Sequence, residues 1–132
     1  MISFRNDYSE GAHPSVLASL SKHNFETTCG YSMDPFCQQA ADTVRKLTVC
    51  PDADVHFIVG GTLANTIVIS AALRPWEGVI AATTGHINVH ETGAIESSGH
   101  KVCSIEAPDG KLTPALVREV MRIHCDGKDE HM

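Results

Sequence analysis

The sequence predicts an α/β fold with a mostly parallel sheet. Short apolar runs alternate with helical patterns through most of the chain, and this alternation is typical of layered α/β proteins. The runs are apolar at nearly every position, as in strands that helices cover on both faces. A glycine pair, Gly60-Gly61, joins the first run to a helical segment, which indicates a strand-to-helix turn.

Two helices are predicted before the first strand. Pro14 suits the first turn of a helix, and apolar residues then recur at helical spacing, namely Val16, Leu17 and Leu20. Gly30 marks a turn. Asp34 is a natural N-cap with Pro35 at the first helical position, so a second helix begins there. Its apolar face carries Phe36, Ala40, Val44 and Leu47.

The rest of the chain is predicted to alternate between strands and helices. Val55, Phe57 and Val59 alternate in a short run that suits a buried strand ending at Gly60. The mostly apolar residues from Thr62 to Leu73 favour a buried helix despite their β-branched members. The later elements are a strand over 78–82, a turn and helix over 87–98, a strand over 101–105 and a helix from Thr113-Pro114 to His124.

Three strands form a narrow sheet with two open edges, which is unfavourable for a free-standing domain. The alternation predicts a further strand after the last helix, where residues 128–132 are instead polar. We therefore expect one incomplete domain over residues 1–132. It has an N-terminal arm and helices over about 1–52 and a second segment over about 53–132.

Composition and charge exclude several classes of protein. The 132 residues are 42% apolar and 20% charged, as in an ordinary soluble domain. A net charge of -6 and the lack of a basic run argue against binding to nucleic acid. The longest nearly apolar stretch, 66–73, is too short to cross a membrane, and the start lacks the apolar core of an export signal. The cysteines form no CxxC pair, so we expect a reducing, cytoplasmic setting.

Gly60, Gly61 and Thr62, called the GGT turn below, are predicted to end a strand and open a helix. This placement gathers free backbone N–H groups, the helix dipole and a hydroxyl at one point, where an anion would bind. A simple reversal of the chain explains the same residues equally well. The sequence lacks the lysine of a nucleotide P-loop and the GxGxxG spacing, which excludes those two cofactor sites.

A second group of reactive side chains follows the strand over 78–82. His86, His90 and Glu91 lie in the segment TGHINVHETG, where that strand gives way to a loop. Ligands bind at the carboxyl ends of parallel strands, so we expect this loop and the GGT turn to share one edge of the sheet. The zinc motif HExxH is excluded because Ala94 stands at the position of its second histidine.

Other interpretations of the histidines stay open. His90 and Glu91 are explained as well by local capping or pairing. A small metal site built from His86, His90 and Cys103 is a further alternative, although we assign no metal ligands. His56 and His100 stand alone in or beside strand patterns, and hydrogen bonds within the fold explain them adequately.

Four segments of the chain carry a resemblance to a known family. They are DYSEGAHPSVLASL, GYSMDPFCQQA, HFIVGGTLANTIVISAALRPWEGVIAATTGHINVHETGAIESSGHKV and DGKLTPALV. Together these segments resemble the threonine aldolase family of pyridoxal-phosphate lyases, most specifically between His56 and Lys101. The resemblance implies the aspartate aminotransferase fold, fold type I. The chain would then be the N-terminal portion of the large domain, a truncated three-layer sandwich around a mostly parallel sheet.

The resemblance also implies roles for individual residues. The GGT turn, with Asn65 beside it, would hold the phosphate of pyridoxal phosphate without a covalent bond. His86 would stack on the cofactor ring and take part in proton transfer, and Glu91 would lie near the substrate hydroxyl. Asn6, followed by Asp7, would lie near the substrate, and Tyr31 would reach the site of a neighbouring subunit in a homodimer or homotetramer.

The implied reaction cleaves a β-hydroxy-α-amino acid such as threonine into glycine and an aldehyde. In this family the lysine that binds the cofactor as a Schiff base lies beyond the position of Met132, and no lysine of this sequence matches it. We therefore expect the chain alone to be inactive. A related amino-acid lyase of the same fold is one alternative, and a non-catalytic remnant or self-associating interaction module is another.

Overall fold

The computed structural model describes residues 10–124, which divide into two compact units. Residues 10–57 belong to the first unit and residues 58–124 to the second. The boundary lies between Phe57 and Ile58, inside the segment that is predicted as the first strand.

The first unit begins with helix α1, which spans Pro14–His23. His13 is its N-cap, and the imidazole Nδ1 of His13 accepts a hydrogen bond from the backbone N–H of Ser15 at 3.3 Å. Pro14 occupies the first turn, where its missing N–H costs no helical hydrogen bond. The start of this helix confirms the prediction. The apolar side chains of its predicted face are exposed, namely Val16, Leu17 and Leu20.

Helix α2 spans Pro35–Thr48 and also begins where the sequence predicts. The Oδ1 atom of Asp34 accepts a hydrogen bond from the backbone N–H of Cys37 at 2.8 Å, which satisfies one of the free donors of the first turn. The helix ends at Val49, which adopts a left-handed conformation with φ 55°. The ring of Phe36 meets the His23 ring edge-on with centroids 4.9 Å apart, so α1 and α2 are in contact.

The second unit begins with helix α3, Gly61–Ala72, which confirms a helix where one is predicted from Thr62 to Leu73. Its predicted burial is wrong, because no residue of α3 is buried within the described chain, and Leu63, Ile67 and Val68 are exposed. It ends before Arg74-Pro75, where the chain turns. Within residues 10–124, no helix is long and apolar enough to cross a membrane.

A parallel pair of strands follows α3. Strand β1, Val79–Ala82, pairs with strand β2, Val102–Ile105, in a register that sets Val79 opposite Val102 and Ala82 opposite Ile105. Because parallel strands need a crossover connection, residues 83–101 must return to the start of the sheet, and they do so through two short helices. These are α4, His86–Val89, and α5, Ala94–Ser97. A 3₁₀ turn at Pro108–Gly110 and helix α6, Pro114–His124, complete the described chain.

The core of the second unit lies between the strands and the crossover. Ala81 and Ala82 of β1 and Ile105 of β2 are buried, and Ile95 of α5 is 0% exposed. Helix α5 packs against α3, while α4 contacts both strands. The crossover is therefore fixed by packing on one side against the sheet and on the other against α3.

One predicted strand is not formed. Residues 55–59 are not a strand, because their backbone forms no ladder hydrogen bonds with any part of the described chain. The sheet therefore has two strands rather than three within residues 10–124. The turn and helix predicted over 87–98 are observed as two short helices, α4 and α5, separated by Thr92 and Gly93, which adopt left-handed conformations with φ 54° and 77°.

Close packing at Gly78 gives a first testable prediction. A Cβ atom added there would lie 2.8 Å from the carbonyl oxygen of Lys101, a backbone atom that cannot move aside without disturbing the sheet. We expect Gly78→Ala to lower the free energy of unfolding by about 1–3 kcal/mol, measured by urea denaturation. Gly30→Ala is the matched control, since a Cβ atom at Gly30 meets nothing within 4 Å. Equal stability of the two variants would contradict the prediction.

The N-cap of α2 gives a prediction about pH. Hydrogen bonds from the thiol and then the backbone N–H of Cys37 hold the pKa of Asp34 below its ordinary value of 3.8. A lowered pKa in the folded state adds stability above pH 3.8, and that stability is lost as the pH falls through the folded-state pKa. We expect Asp34→Asn to weaken this pH dependence, so that the urea concentration at the midpoint of unfolding falls less as the pH is lowered below 3.8. Gln39→Ala, which removes no titrating group, should retain it.

Candidate active site

The GGT turn forms the beginning of α3. Gly60 is the N-cap with φ 83°, a left-handed conformation that favours glycine, and no side chain caps the helix. The first-turn N–H groups of a helix have no acceptor within the helix itself. A Cβ atom added at Gly60 or Gly61 would meet nothing within 4 Å, so this backbone surface is open. The turn can therefore accept an anion at the positive end of a 12-residue helix.

His86 begins helix α4, four residues after the end of β1. Its N-cap is Gly85, where a Cβ atom would lie 2.9 Å from the carbonyl oxygen of Ala82, so the chain passes very close to the end of the strand. The side chain of His86 is 64% exposed. The crossover thus presents an imidazole at the carboxyl end of β1, as the sequence predicts for this loop.

Glu91 contacts the side chain of His86 and is itself buried, with a side-chain exposure of 0%. Its Oε1 atom is 2.8 Å from Nδ1 of His86 and accepts a hydrogen bond from Nδ2 of Asn65 at 2.6 Å. Its Oε2 atom is also buried and has no hydrogen-bond partner within the described chain. A buried carboxylate oxygen without a donor costs free energy, so this arrangement is not explained by stability alone.

Asn65 connects the two halves of the site. It lies in the second turn of α3, the helix that the GGT turn begins, and its amide donates to a carboxylate of the crossover loop. The hydrogen bond brings α3 to the loop that carries His86. The polar residues predicted at this edge therefore form one connected arrangement, from the GGT turn through Asn65 and Glu91 to His86.

The neighbouring histidines have other surroundings. The His90 ring lies 5.3 Å from the His86 ring, centroid to centroid, at an angle of 50°. Among residues 10–124, no three His, Cys, Asp or Glu side chains are placed to hold a metal ion, so the structure does not gather His86, His90 and Cys103 into a ligand set. His100 is buried, with its Nδ1 atom 3.1 Å from the carbonyl oxygen of Glu77, which agrees with a role in the fold.

Of the three predicted substrate residues, the structure describes Tyr31. Asn6 and Asp7 fall outside the described residues. Tyr31 belongs to the first unit, where it is fully exposed and has a left-handed backbone conformation with φ 61°, followed by Ser32 with φ 59°. Two consecutive non-glycine residues in this conformation are strained, and they present the Tyr31 side chain to solvent.

The hydrogen bond between Asn65 and Glu91 is not predictable from the sequence alone. These residues are 26 positions apart and belong to different elements, so no local spacing could indicate the contact. The available signal was weaker: both residues follow motifs that were expected at the same edge of the sheet.

The parallel pairing of β1 with β2 through helical crossover segments defines an α/β protein. Its second unit combines an open helix N-terminus with an exposed imidazole that contacts a buried carboxylate. The chain belongs to the beta-eliminating lyase family, a family of enzymes whose family model matches residues 4–131.

Two relatives and one solved structure share this similarity. The chain is 36% identical over 119 residues to the low specificity L-threonine aldolase of a Pseudomonas species and 32% identical over 119 residues to that of Pseudomonas aeruginosa. Each match covers 89% of this chain and 34% of the relative. A structure of Leishmania major threonine aldolase superposes with a TM-score of 0.88 and 49% identity, covering 96% of this chain and 36% of that one.

These comparisons confirm the resemblance to threonine aldolases and the α/β fold class. The chain spans about a third of the length of the relatives that it matches, 34% in both curated cases.

The hydrogen bond between Asn65 and Glu91 gives a third testable prediction. Because Asn65 donates to a buried carboxylate, we expect Asn65→Ala to lower the free energy of unfolding by about 1.5–3 kcal/mol in urea denaturation. Ser70→Ala, at an exposed position of the same helix, is the matched control and should change little. A small effect at both positions would show that this hydrogen bond does not stabilise the second unit.

Proposed function

We propose that this chain is the N-terminal part of a threonine aldolase-like lyase that cleaves a β-hydroxy-α-amino acid into glycine and an aldehyde. The observation that carries the proposal is the connection of His86, through Glu91 and Asn65, to a helix with an open N-terminus. The relatives named above support the reaction. In this proposal, the residues that complete the site belong to a part of the protein beyond this chain.

The chain's own residues fit pyridoxal phosphate. The GGT turn offers unused N–H groups and a backbone surface with room for a phosphate, at the positive end of α3. The exposed imidazole of His86 offers a flat surface for an aromatic ring. When bound, pyridoxal phosphate supplies an electron sink for the charge that develops on the substrate when the bond between Cα and Cβ is broken.

His86 is the proposed proton-transfer group. Its Nδ1 atom is engaged by Glu91, and its Nε2 atom forms no hydrogen bond within the described residues. In this proposal, Nε2 accepts the proton of the substrate β-hydroxyl as the bond between Cα and Cβ breaks and the aldehyde leaves. The burial of Glu91 favours an action through His86 over direct contact with the substrate hydroxyl.

The remaining roles are also proposals. Asn6 and Asp7 lie near the amino-acid substrate, and the exposed Tyr31 reaches the site of a neighbouring subunit in a homodimer or homotetramer. Asn65 lies beside the phosphate, although its amide already donates to Glu91. We place the protein in the cytoplasm.

A second candidate function is a non-catalytic module that associates with itself. The observation that favours it is the exposure of apolar side chains on several helices of the described chain; on α1 and α6 they are Val16, Leu17, Leu20, Met121 and Ile123. Burial of such side chains in a dimer would be stabilising. A chain that sediments as a dimer and binds neither phosphate nor pyridoxal phosphate would support this function over the first.

The proposed function is tested by titrating inorganic phosphate and pyridoxal phosphate into the 132-residue chain by calorimetry. We expect both to bind and to compete. Gly61→Asp puts a negative charge at the GGT turn, where a Cβ atom meets nothing, and should weaken binding by about tenfold or more. Gly61→Asn has the same shape without the charge and should weaken binding less.

Activity is tested in the same preparation after adding the remaining portion of the Leishmania major protein. We expect threonine to yield aldehyde only in the mixture, and His86→Asn to lower the rate by about 10²–10⁴-fold. Failure of the chain to bind either anion, alone and in the mixture, would refute the proposed function.

A further inference from the structure

The carboxylate of Glu91 is buried, with a side-chain exposure of 0%. Removing a carboxylate from water is costly unless its oxygen atoms accept hydrogen bonds, and here only one oxygen does so among the described residues. Both hydrogen bonds converge on Oε1, while Oε2 is buried without a partner within the described residues. Such an arrangement is poor for stability, which indicates that Glu91 acts on one of its two partners.

The direction of both hydrogen bonds follows when Oε1 of Glu91 carries no proton. An ionised carboxylate only accepts hydrogen bonds, and so does the carbonyl oxygen of a carboxyl group that carries its proton on Oε2. In either form, Nδ1 of His86 must carry a hydrogen to form the 2.8 Å contact. A neutral imidazole carries one hydrogen on its two nitrogen atoms, so Nε2 is then left as an acceptor.

Asn65 determines where this acceptor lies. Its amide donates to the same Oε1 atom at 2.6 Å and thereby ties the carboxylate to α3. The imidazole is fixed in turn by the carboxylate, while most of its surface stays open at 64% exposure. The GGT turn belongs to the same helix, so the anion site and the imidazole share one support.

We propose that Glu91 is a positioning residue that holds neutral His86 in the Nδ1–H tautomer, and that Asn65 anchors Glu91 to α3. Nε2 of His86 is then a proton acceptor at a fixed position relative to the anion site at the GGT turn. This inference rests on the proposed function for the identity of the reaction. The tautomer itself is a property of the chain without any ligand.

The test is a long-range ¹H–¹⁵N correlation spectrum of the ¹⁵N-labelled chain at a pH at which imidazole is neutral. The expected result for His86 is a protonated Nδ1 atom and an unprotonated Nε2 atom. A spectrum dominated by the Nε2–H tautomer would overturn the inference with the unaltered protein, before any variant is made.

Two variants then test Glu91 itself. Glu91→Met removes the acceptor at similar length and should shift His86 to a mixture of tautomers or to Nε2–H. Glu91→Gln keeps an oxygen, and its amide should turn that oxygen toward Asn65 and His86 because both donors lie on that side. We therefore expect Glu91→Gln to restore the Nδ1–H tautomer. An unchanged tautomer in a folded Glu91→Met protein would refute the role of Glu91.

Controls separate this inference from the proposed function. Glu96→Met, at an exposed position of α5, should leave the His86 signals unchanged. If Glu91→Met does not fold, the unaltered protein and Glu91→Gln still decide the tautomer. An Nδ1–H tautomer in a chain that binds no phosphate would support the inference and refute the proposed function. The Nε2–H tautomer in a chain that binds phosphate would refute the inference and support the proposed function.

Discussion

The parallel pairing of β1 with β2 is the constraint on which the site depends. Parallel strands cannot be joined by a tight hairpin, so the chain must leave the end of β1 and return to the start of β2. That return path is the segment that carries His86 and Glu91, and it is held between the strands and α3. The imidazole of His86 lies at the end of a strand because the strand pairing requires a crossover there.

The contact between the crossover and α3 combines apolar packing with one polar connection. Ile95 is fully buried in α5, which packs against α3, and the carboxylate of Glu91 lies nearby in sequence with Asn65 as its donor. Apolar packing sets the distance between the two elements, while the hydrogen bond selects one arrangement of the polar side chains. Together they allow a polar group to remain buried without its full set of partners.

Features that depend on neighbouring residues in the sequence were predictable, and features that depend on contacts between distant residues were not. The helix starts at Pro14 and Asp34 were predictable, because a cap and its donor lie within three residues. The run 55–59 has the alternation of a strand, but alternation does not reveal whether a neighbouring strand is present to pair with it. The GGT turn was likewise visible as a local motif. The contact of Asn65 with Glu91 was not, because it depends on how α3 packs against the crossover.

The single oxygen atom shared by Asn65 and His86 has a consequence for how this sequence can vary. Both side chains form a hydrogen bond with Oε1 of Glu91, so the loss of one partner changes the charge density that the other one meets. The energetic effects of substitutions at these three positions are therefore non-additive. A substitution at residue 65, 86 or 91 therefore changes the effect on the free energy of unfolding of a substitution at the other two.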